Sequence, residues 1–131
     1  MKFPPPVAKL IGIEVKRIEG GESLMWMDVE ERHSNPMGTV HGGILCDIAD
    51  AAMGTAFFST LEVGESFTTL ELKINFLRPF WTGRITARGR VVQRGRTVGM
   101  AECDLEDEQG RLIAKASSTC MTLRGDMASG R

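Results

Sequence analysis

Hydrophobic and polar residues alternate along two stretches near the start of the chain. Residues 13–19 and 23–31 follow the two-residue period of a β-strand, and Gly20-Gly21 between them is typical of a hairpin turn. The second stretch carries Met25, Met27 and Val29 on one face and Leu24, Trp26 and Asp28 on the other. Because both faces are partly apolar, we expect this strand to be covered on two sides.

The middle of the chain has a different pattern. Between residues 43 and 61, apolar side chains stand at nearly every position, which predicts a helix that is buried on all sides. The preceding residues 31–39 have the composition of a loop. Near the start of the chain, Pro6 and Gly12 bracket a short helix that we expect to act as a small lid.

Four further strands are predicted after the central helix. They lie near residues 69–76, 84–93, 98–107 and 111–123. Two strands, one buried helix and four more strands indicate an α+β fold, in which an antiparallel β-sheet wraps around one long central helix. No linker divides residues 1–131, so we expect a single domain, and residues 125–131 are expected to be disordered.

Composition excludes several classes of protein. The 131 residues are 42% hydrophobic and 25% charged, with a formal net charge of -1, as in a compact soluble domain without a basic surface for nucleic acid or an anionic membrane. Three cysteines and two histidines show neither a disulfide framework nor the spacing of a metal site. No secretory signal or run of 18 apolar residues is present, so we expect a cytoplasmic location.

Asp47 and Asp50 are the only charged residues between His41 and Leu61. An ionised carboxylate in apolar surroundings must find donors, reach water or raise its pKa. Either aspartate could simply point outward through a gap in the sheet. The alternative is that one of the two aspartates has a catalytic role.

The start of the same helix is a second candidate. Gly42-Gly43 lets a ligand approach the backbone closely, and the first-turn N–H groups of a helix can stabilise a developing oxyanion. The two glycines could equally serve only the turn into the helix. Gly42 and Asp50 are eight positions apart, or roughly 12 Å along a helix. If both act in one reaction, they must belong to two subunits of a symmetric dimer.

A known family shares these residues. The run Asn35-x-x-Gly38-x-x-His41-Gly42-Gly43, followed by Asp50 and then by residues 75–79 (Asn-Phe-Leu-Arg-Pro), resembles the hotdog-fold thioesterases of the phenylacetate-pathway (PaaI-like) type, in the 4-hydroxybenzoyl-CoA thioesterase superfamily. The resemblance extends from about residue 10 to about residue 123. It implies the hotdog fold, hydrolysis of an aromatic or medium-chain acyl-CoA, and a homodimer or homotetramer. It implies neither a cofactor nor a metal.

The resemblance also implies roles for residues of the motif. Asp50 would be the catalytic carboxylate, as general base or as nucleophile, and the Gly42 N–H would polarise the thioester carbonyl. His41 would support that turn, and Asn35 would place the water or the thioester. Asp47 has no catalytic counterpart.

A supporting hydroxyl group is assigned in two ways. Counting back from the Asn75 motif selects Thr69, which we take as the prediction. Strand alternation instead places Thr68 on the face shared with Leu70 and Leu72, towards the helix.

Coenzyme A is expected at a positively charged turn. The resemblance places it near Arg94-Gly95-Arg96, where two guanidinium groups suit phosphate oxygens, and Arg78 is a second candidate. The same arginines could equally be a solvated hairpin tip.

Two other functions use the same scaffold. One is an acyl-CoA dehydratase or hydratase, and the other is a non-catalytic acyl-CoA-binding protein. The acyl group could contact large apolar side chains whose default place is the core. These are Trp26, Met53, Phe57, Phe58 and Met100.

Overall fold

The computed structural model describes residues 3–131, so the first two residues of the predicted domain lie outside the described part. The helices are α1 (Pro6–Ile11) and α2 (Gly42–Phe58), with short 3-10 helices at Glu31–His33 and Gly125–Ala128. The strands are β1 (Glu14–Glu19), β2 (Glu22–Val29), β3 (Ser66–Phe76), β4 (Gly83–Arg94), β5 (Val98–Glu106) and β6 (Leu112–Leu123).

All six strands form one antiparallel sheet in the order β1-β2-β4-β5-β6-β3. This sheet wraps around α2, which confirms the predicted α+β class and the hotdog architecture. The two edges of the sheet are β1 and β3, and among the described residues each of them is paired on one side only.

The sheet holds α2 through unusually close backbone packing. A Cβ atom at Gly89 of β4 would lie 2.4 Å from the carbonyl oxygen of Ala52, so only glycine lets the strand approach the helix here. The same carbonyl oxygen accepts a 2.6 Å hydrogen bond from the Ser23 hydroxyl of β2. Two strands therefore fix the position of the α2 backbone at Ala52, about half a helical turn beyond Asp50.

The core lies between α2 and the inner face of the sheet. Its largest fully buried side chains come from both layers and include Met25, Met27, Ile48, Met53, Phe57, Ile85, Leu105 and Ile113. The predicted alternation of β2 is confirmed on this face. The expectation that β2 is covered on both sides is wrong for the single chain. Asp28 is exposed and pairs with Arg84 at 2.9 Å, and the Arg84 guanidinium lies 4.4 Å from the Trp26 ring centre.

The expectation that α2 is buried on all sides is also wrong for the single chain. Gly43, Asp47, Asp50 and Phe58 are exposed along one face of the helix. The apolar residues between them predicted burial, but the sheet covers only the opposite faces. One face of α2 therefore remains open beside β3.

The end of the chain has local structure where we expected disorder. Gly125–Ala128 forms a 3-10 helix, although none of its residues is buried. Just before it, Arg124 pairs with Glu65 at 2.7 Å, which ties the end of β6 to the loop before β3.

Candidate active site

The structure brings Asp50 and Thr69 together. Asp50 lies in the middle of α2 and Thr69 near the start of β3. The Thr69 hydroxyl donates towards Asp50 Oδ1 over 3.5 Å, at the long end of the hydrogen-bond range. A carboxylate and a hydroxyl from two different elements therefore form one polar pair.

A β-bulge explains why Thr69, and not Thr68, faces the helix. Thr69 pairs with Cys120, but Glu71 already pairs with Thr119, so Leu70 has no partner in the ladder. The extra residue reverses the alternation, and Leu70 is 54% exposed. The alternation argument for Thr68 fails because the sequence does not signal the bulge.

The surroundings of Asp50 change its acidity. Removal of water by neighbouring protein atoms raises the pKa of Asp50 above 3.8, the Thr69 hydrogen bond lowers it, and the negative charge of Asp47 raises it. Although Asp50 is exposed in the single chain, this partial removal of water is the largest of the three effects. The Asp50 carboxylate is therefore a stronger proton acceptor than an ordinary aspartate.

His41 caps the start of α2. Its ring Nδ1 accepts a 2.9 Å hydrogen bond from the Gly43 N–H. The backbone N–H of His41 donates to the backbone carbonyl oxygen of His33 at 2.8 Å. The Gly42 N–H has no hydrogen-bond partner within residues 3–131. The cap thus leaves one donor of the helix start free, at the positive end of the helix dipole.

Asn35 closes the loop before α2. Its side-chain nitrogen donates to the Thr39 hydroxyl at 2.8 Å, and its side-chain oxygen accepts from the Met37 N–H at 2.9 Å. Within one chain, Asn35 does not line the cavity that Asp50 borders. Its observed contacts shape the loop, and none of them reaches the Asp50–Thr69 pair.

Asp50 and Thr69 stand at one end of an apolar cavity of about 790 Å³. The cavity lies between α1, β1, β2, α2 and β3, so α1 forms part of its wall, and the lid role of α1 stays a prediction. Its walls include Ala8, Val15, Met25, Gly54, Phe58 and Phe67. Of the five predicted acyl-pocket residues, only Phe58 lines it. Met53 and Phe57 belong to the core, Trp26 lies on the outer face of the sheet, and Met100 is 41% exposed.

Most of the cavity wall had no counterpart among the predicted pocket residues. Besides residues of α2 and β3, the wall includes residues of α1, β1 and β2. A shallower groove of about 330 Å³ adjoins the other side of Asp50. It is lined by Cys46, Asp47 and residues 69–72.

The predicted arginines lie at opposite ends of α2. The Arg94 side chain donates to the Thr60 hydroxyl at 2.9 Å and its guanidinium lies 4.7 Å from the Phe57 ring centre, so it stabilises the turn near the end of the helix. Arg96 is exposed in that turn, beyond Gly95. Arg78 is also exposed, but it follows Phe76, whose ring lies beside Gly42 at the helix start. One chain therefore does not bring Arg78 and Arg96 together.

Residues 3–131 contain no group of three or more His, Cys, Asp or Glu side chains placed to hold a metal ion. Over the same residues, no helix has both the length and the apolar character needed to cross a membrane.

Comparison with known proteins gives consistent matches. The model of the family described as "Thioesterase superfamily" matches residues 37–114. Mouse acyl-coenzyme A thioesterase 13 is 32% identical, over 71% of this chain and 67% of the mouse protein. A 1,4-dihydroxy-2-naphthoyl-CoA hydrolase of Listeria monocytogenes is 28% identical, over 83% of this chain and 89% of its own length.

A solved structure agrees with these sequence matches. The phenylacetic acid degradation-related protein of Ralstonia eutropha superposes with a TM-score of 0.83 at 34% identity, covering 90% of this chain and 91% of the other. The predicted resemblance is thereby confirmed.

The pKa of Asp50 should respond to its two polar neighbours. We expect Asp50 to titrate above pH 3.8. Thr69→Val should raise its pKa further, because the hydrogen bond that favours the charged form is lost. Asp47→Asn should lower the pKa of Asp50, because a negative charge is removed nearby. Carbon-13 NMR titration of the Asp50 carboxyl group checks the three values, and identical curves for all three proteins would contradict the assignment of these causes.

Proposed function

This chain belongs to the thioesterase superfamily, and we propose that it hydrolyses acyl-CoA thioesters to a free acid and coenzyme A at a site shared by two subunits. The observation that carries this proposal is the Asp50–Thr69 pair at the end of an apolar cavity. An acyl group in the cavity would present its thioester carbonyl to the carboxylate.

Asp50 acts in one of two ways. As a general base it takes a proton from water, and the resulting hydroxide forms the bond to the carbonyl carbon. As a nucleophile it forms a mixed anhydride that water then hydrolyses. In both routes the carbon–sulfur bond breaks, and coenzyme A leaves as a thiolate that takes up a proton derived from the water consumed in the reaction. The raised pKa of Asp50 favours proton transfer, because a general base works best when its pKa approaches the working pH.

Gly42 of a second subunit polarises the carbonyl. Its N–H is free and lies at the positive end of α2, where it would donate to the oxyanion of the tetrahedral intermediate. On one helix, Gly42 and Asp50 are separated by roughly 12 Å, which is too far for both to contact one carbonyl group. Two antiparallel copies of α2 would bring the two groups together.

Two uncovered surfaces support a second subunit. The edge strand β3 is 11 residues long and, within residues 3–131, pairs only with β6, and long unprotected edges favour pairing with another chain. Beside it, the face of α2 with Asp47 and Asp50 is open. A homodimer formed along β3 and α2 would cover both surfaces, and two such dimers would give the expected tetramer.

The exposed arginines are proposed to bind the phosphate groups of coenzyme A. Arg96 extends from its turn without a hydrogen-bond partner for its side chain among residues 3–131, while Arg94 and the Gly95 carbonyl shape that turn. Arg78 would approach the phosphates from the side of the molecule where α2 begins at Gly42.

The two alternative functions make different products. A dehydratase or hydratase would leave the thioester intact, and an acyl-CoA-binding protein would release nothing. The names of the related proteins, a thioesterase and a hydrolase, support hydrolysis. Release of free thiol from acyl-CoA tests this choice, because only hydrolysis yields coenzyme A.

Replacement of Asp50 should stop turnover. Asp50→Asn removes the proton acceptor, so kcat should fall on the order of 10² to 10⁴-fold, while circular dichroism and the oligomeric state stay unchanged. Asp47→Asn is the matched control on the same helix face and should retain appreciable activity. Normal turnover by the Asp50 variant together with loss of activity in the Asp47 variant would show that the catalytic carboxylate is misassigned.

The Gly42 N–H can be removed with a matched control. Gly42→Pro deletes the donor at the first helical position, where proline is tolerated, and the extended conformation of His41 (φ -66, ψ 133) suits a following proline. Because loss of one oxyanion donor typically lowers kcat by about 10² to 10³-fold, we expect a decrease of that size.

Gly42→Ala keeps the N–H and provides the comparison. In both variants the new Cβ lies 2.9 Å from Cζ of Phe76, whose 56% exposed ring can move aside. Steady-state kinetics should show that the alanine variant is far more active than the proline variant. Equal losses in the two variants would mean that the N–H does not stabilise the transition state.

A further inference from the structure

The short helix α1 forms part of the wall of the apolar cavity, through Ala8 and through Pro5 at its N-cap. α1 has only six residues, and isolated helices shorter than about 12–15 residues are marginally stable in water. Its apolar contact with the fold is small, because only Ala8 and Ile11 are buried, whereas Val7 is 51% and Leu10 is 73% exposed. Polar contacts from other parts of the fold are therefore needed to hold α1 in place.

Two neighbouring side chains, Arg32 and His33, hold the C-terminal end of α1. The Arg32 guanidinium donates to the carbonyl oxygen of Leu10 at 2.7 Å and to that of Ile11 at 3.3 Å. Nε2 of His33 lies 2.7 Å from the same Ile11 oxygen. The last carbonyl groups of a helix have no partners within the helix, and a positive charge is favourable at that end of the helix dipole. Arg32 and His33 thus form a clamp on α1.

The loop before α2 fixes this clamp in turn. Nδ1 of His33 accepts a 2.9 Å hydrogen bond from the Glu30 N–H, so the ring carries its proton on Nε2 and donates it to Ile11. The His33 side chain is buried, and Nε of Arg32 donates to the Glu30 carboxylate at 3.2 Å. Both members of the clamp are therefore oriented by contacts on the side away from α1.

The clamp acts on the cavity only through the position of α1. Neither Arg32 nor His33 is among the residues that line the cavity. Within residues 3–131, the hydrogen bonds that reach α1 from other parts of the fold all come from these two side chains. Loss of the clamp would therefore release one wall of the cavity and leave the opposite walls, α2 and β3, in place.

On the basis of the proposed hydrolysis, we propose that Arg32 and His33 are positioning residues for the acyl group, because they hold α1 as a fixed wall of the cavity. Acyl groups that extend into the cavity depend on this wall, whereas an acetyl group has too little apolar surface to do so. The Asp50–Thr69 pair lies on α2 and β3 and does not contact the clamp. The backbone carbonyl of His33, which accepts from the His41 N–H, is kept whatever side chain stands at position 33.

Two substitutions remove the clamp with little change elsewhere. Arg32→Met keeps a long side chain without its donors. His33→Asn is too short to reach Ile11, but its side-chain oxygen can still accept from the Glu30 N–H.

The first measurement is steady-state kinetics with acetyl-CoA and hexanoyl-CoA. One ordinary hydrogen bond represents about fivefold in an equilibrium constant, so the Arg32→Met/His33→Asn protein should show a KM for hexanoyl-CoA raised at least about tenfold. Its kcat for hexanoyl-CoA, and its kcat/KM for acetyl-CoA, should equal those of the wild type. Each single variant should have a smaller effect in the same direction.

Arg88→Met is the matched control for the arginine change. The Arg88 side chain is 56% exposed on β4 and pairs with Glu106, while that of Arg32 is 51% exposed. Because Arg88 has no contact with α1, its variant should have the wild-type KM for both substrates.

The second measurement does not depend on turnover. Calorimetry on the Asp50→Asn protein compares binding of S-hexyl-CoA and S-ethyl-CoA, with and without the clamp. Loss of the clamp should weaken binding of S-hexyl-CoA and leave that of S-ethyl-CoA unchanged. Hydrogen exchange of the Gly12 and Ile13 amides, which both donate to the Ala8 carbonyl oxygen at 2.8 Å, should become faster, and thermal melting checks that the rest of the fold is retained.

The outcomes separate the two proposals. Absence of turnover in the wild type, together with a selective loss of S-hexyl-CoA binding in the clamp variant, would refute the proposed hydrolysis but support the role of the clamp. Turnover with the same KM for hexanoyl-CoA in the wild type and in the double variant would refute the role of the clamp but leave the hydrolysis intact. Equal losses for acetyl-CoA and hexanoyl-CoA would also overturn the inference, because the whole site would then be disturbed.

Discussion

The proposed site depends above all on where the Asp50 carboxylate lies, at the edge of an apolar cavity. Within residues 3–131 it has one hydrogen-bond donor, the Thr69 hydroxyl at 3.5 Å, and a neutral donor at that distance does not offset the loss of water. The nearby charge of Asp47 adds to the effect, so the pKa of Asp50 is raised. The fold holds the group in this environment, because Gly89 and Ser23 fix the α2 backbone at Ala52. A carboxylate that the structure stabilises poorly is one that accepts a proton readily.

In the proposed mechanism, the start of the same helix supplies the group that activates the carbonyl. His41 uses its side chain to cap Gly43, which leaves the Gly42 N–H free at the end of the helix dipole. Because the helix is rigid, the separation of roughly 12 Å between Gly42 and Asp50 cannot be closed within one chain. The proposed second subunit would account both for the open face of α2 and for the edge of β3 that no other strand of residues 3–131 pairs with. Binding of the acyl group, activation of the carbonyl group and proton transfer would then depend on assembly.

Much of this architecture could be predicted from the sequence, for identifiable reasons. Period-two alternation located the strands, and the dense apolar run located α2, because these patterns report directly on burial. The same run could not show which face of α2 is open, since that depends on how far the sheet wraps around it. Thr69 was found through the motif, whereas alternation pointed to Thr68, because the bulge at Leu70 is set by pairing with β6. The cavity could not be predicted, because its walls come from five separate elements, α1, β1, β2, α2 and β3.

Mixed dimers show directly whether Asp50 and Gly42 of one site come from different subunits. Asp50→Asn and Gly42→Pro subunits with different affinity tags can be co-expressed, and the heterodimer isolated by two successive affinity steps. In this heterodimer one of the two sites combines an intact Asp50 with an intact Gly42 from the other subunit. Our account predicts roughly half of the wild-type kcat, although each variant alone is nearly inactive. A heterodimer no more active than the two parent variants would contradict it, because each site would then draw both groups from one chain.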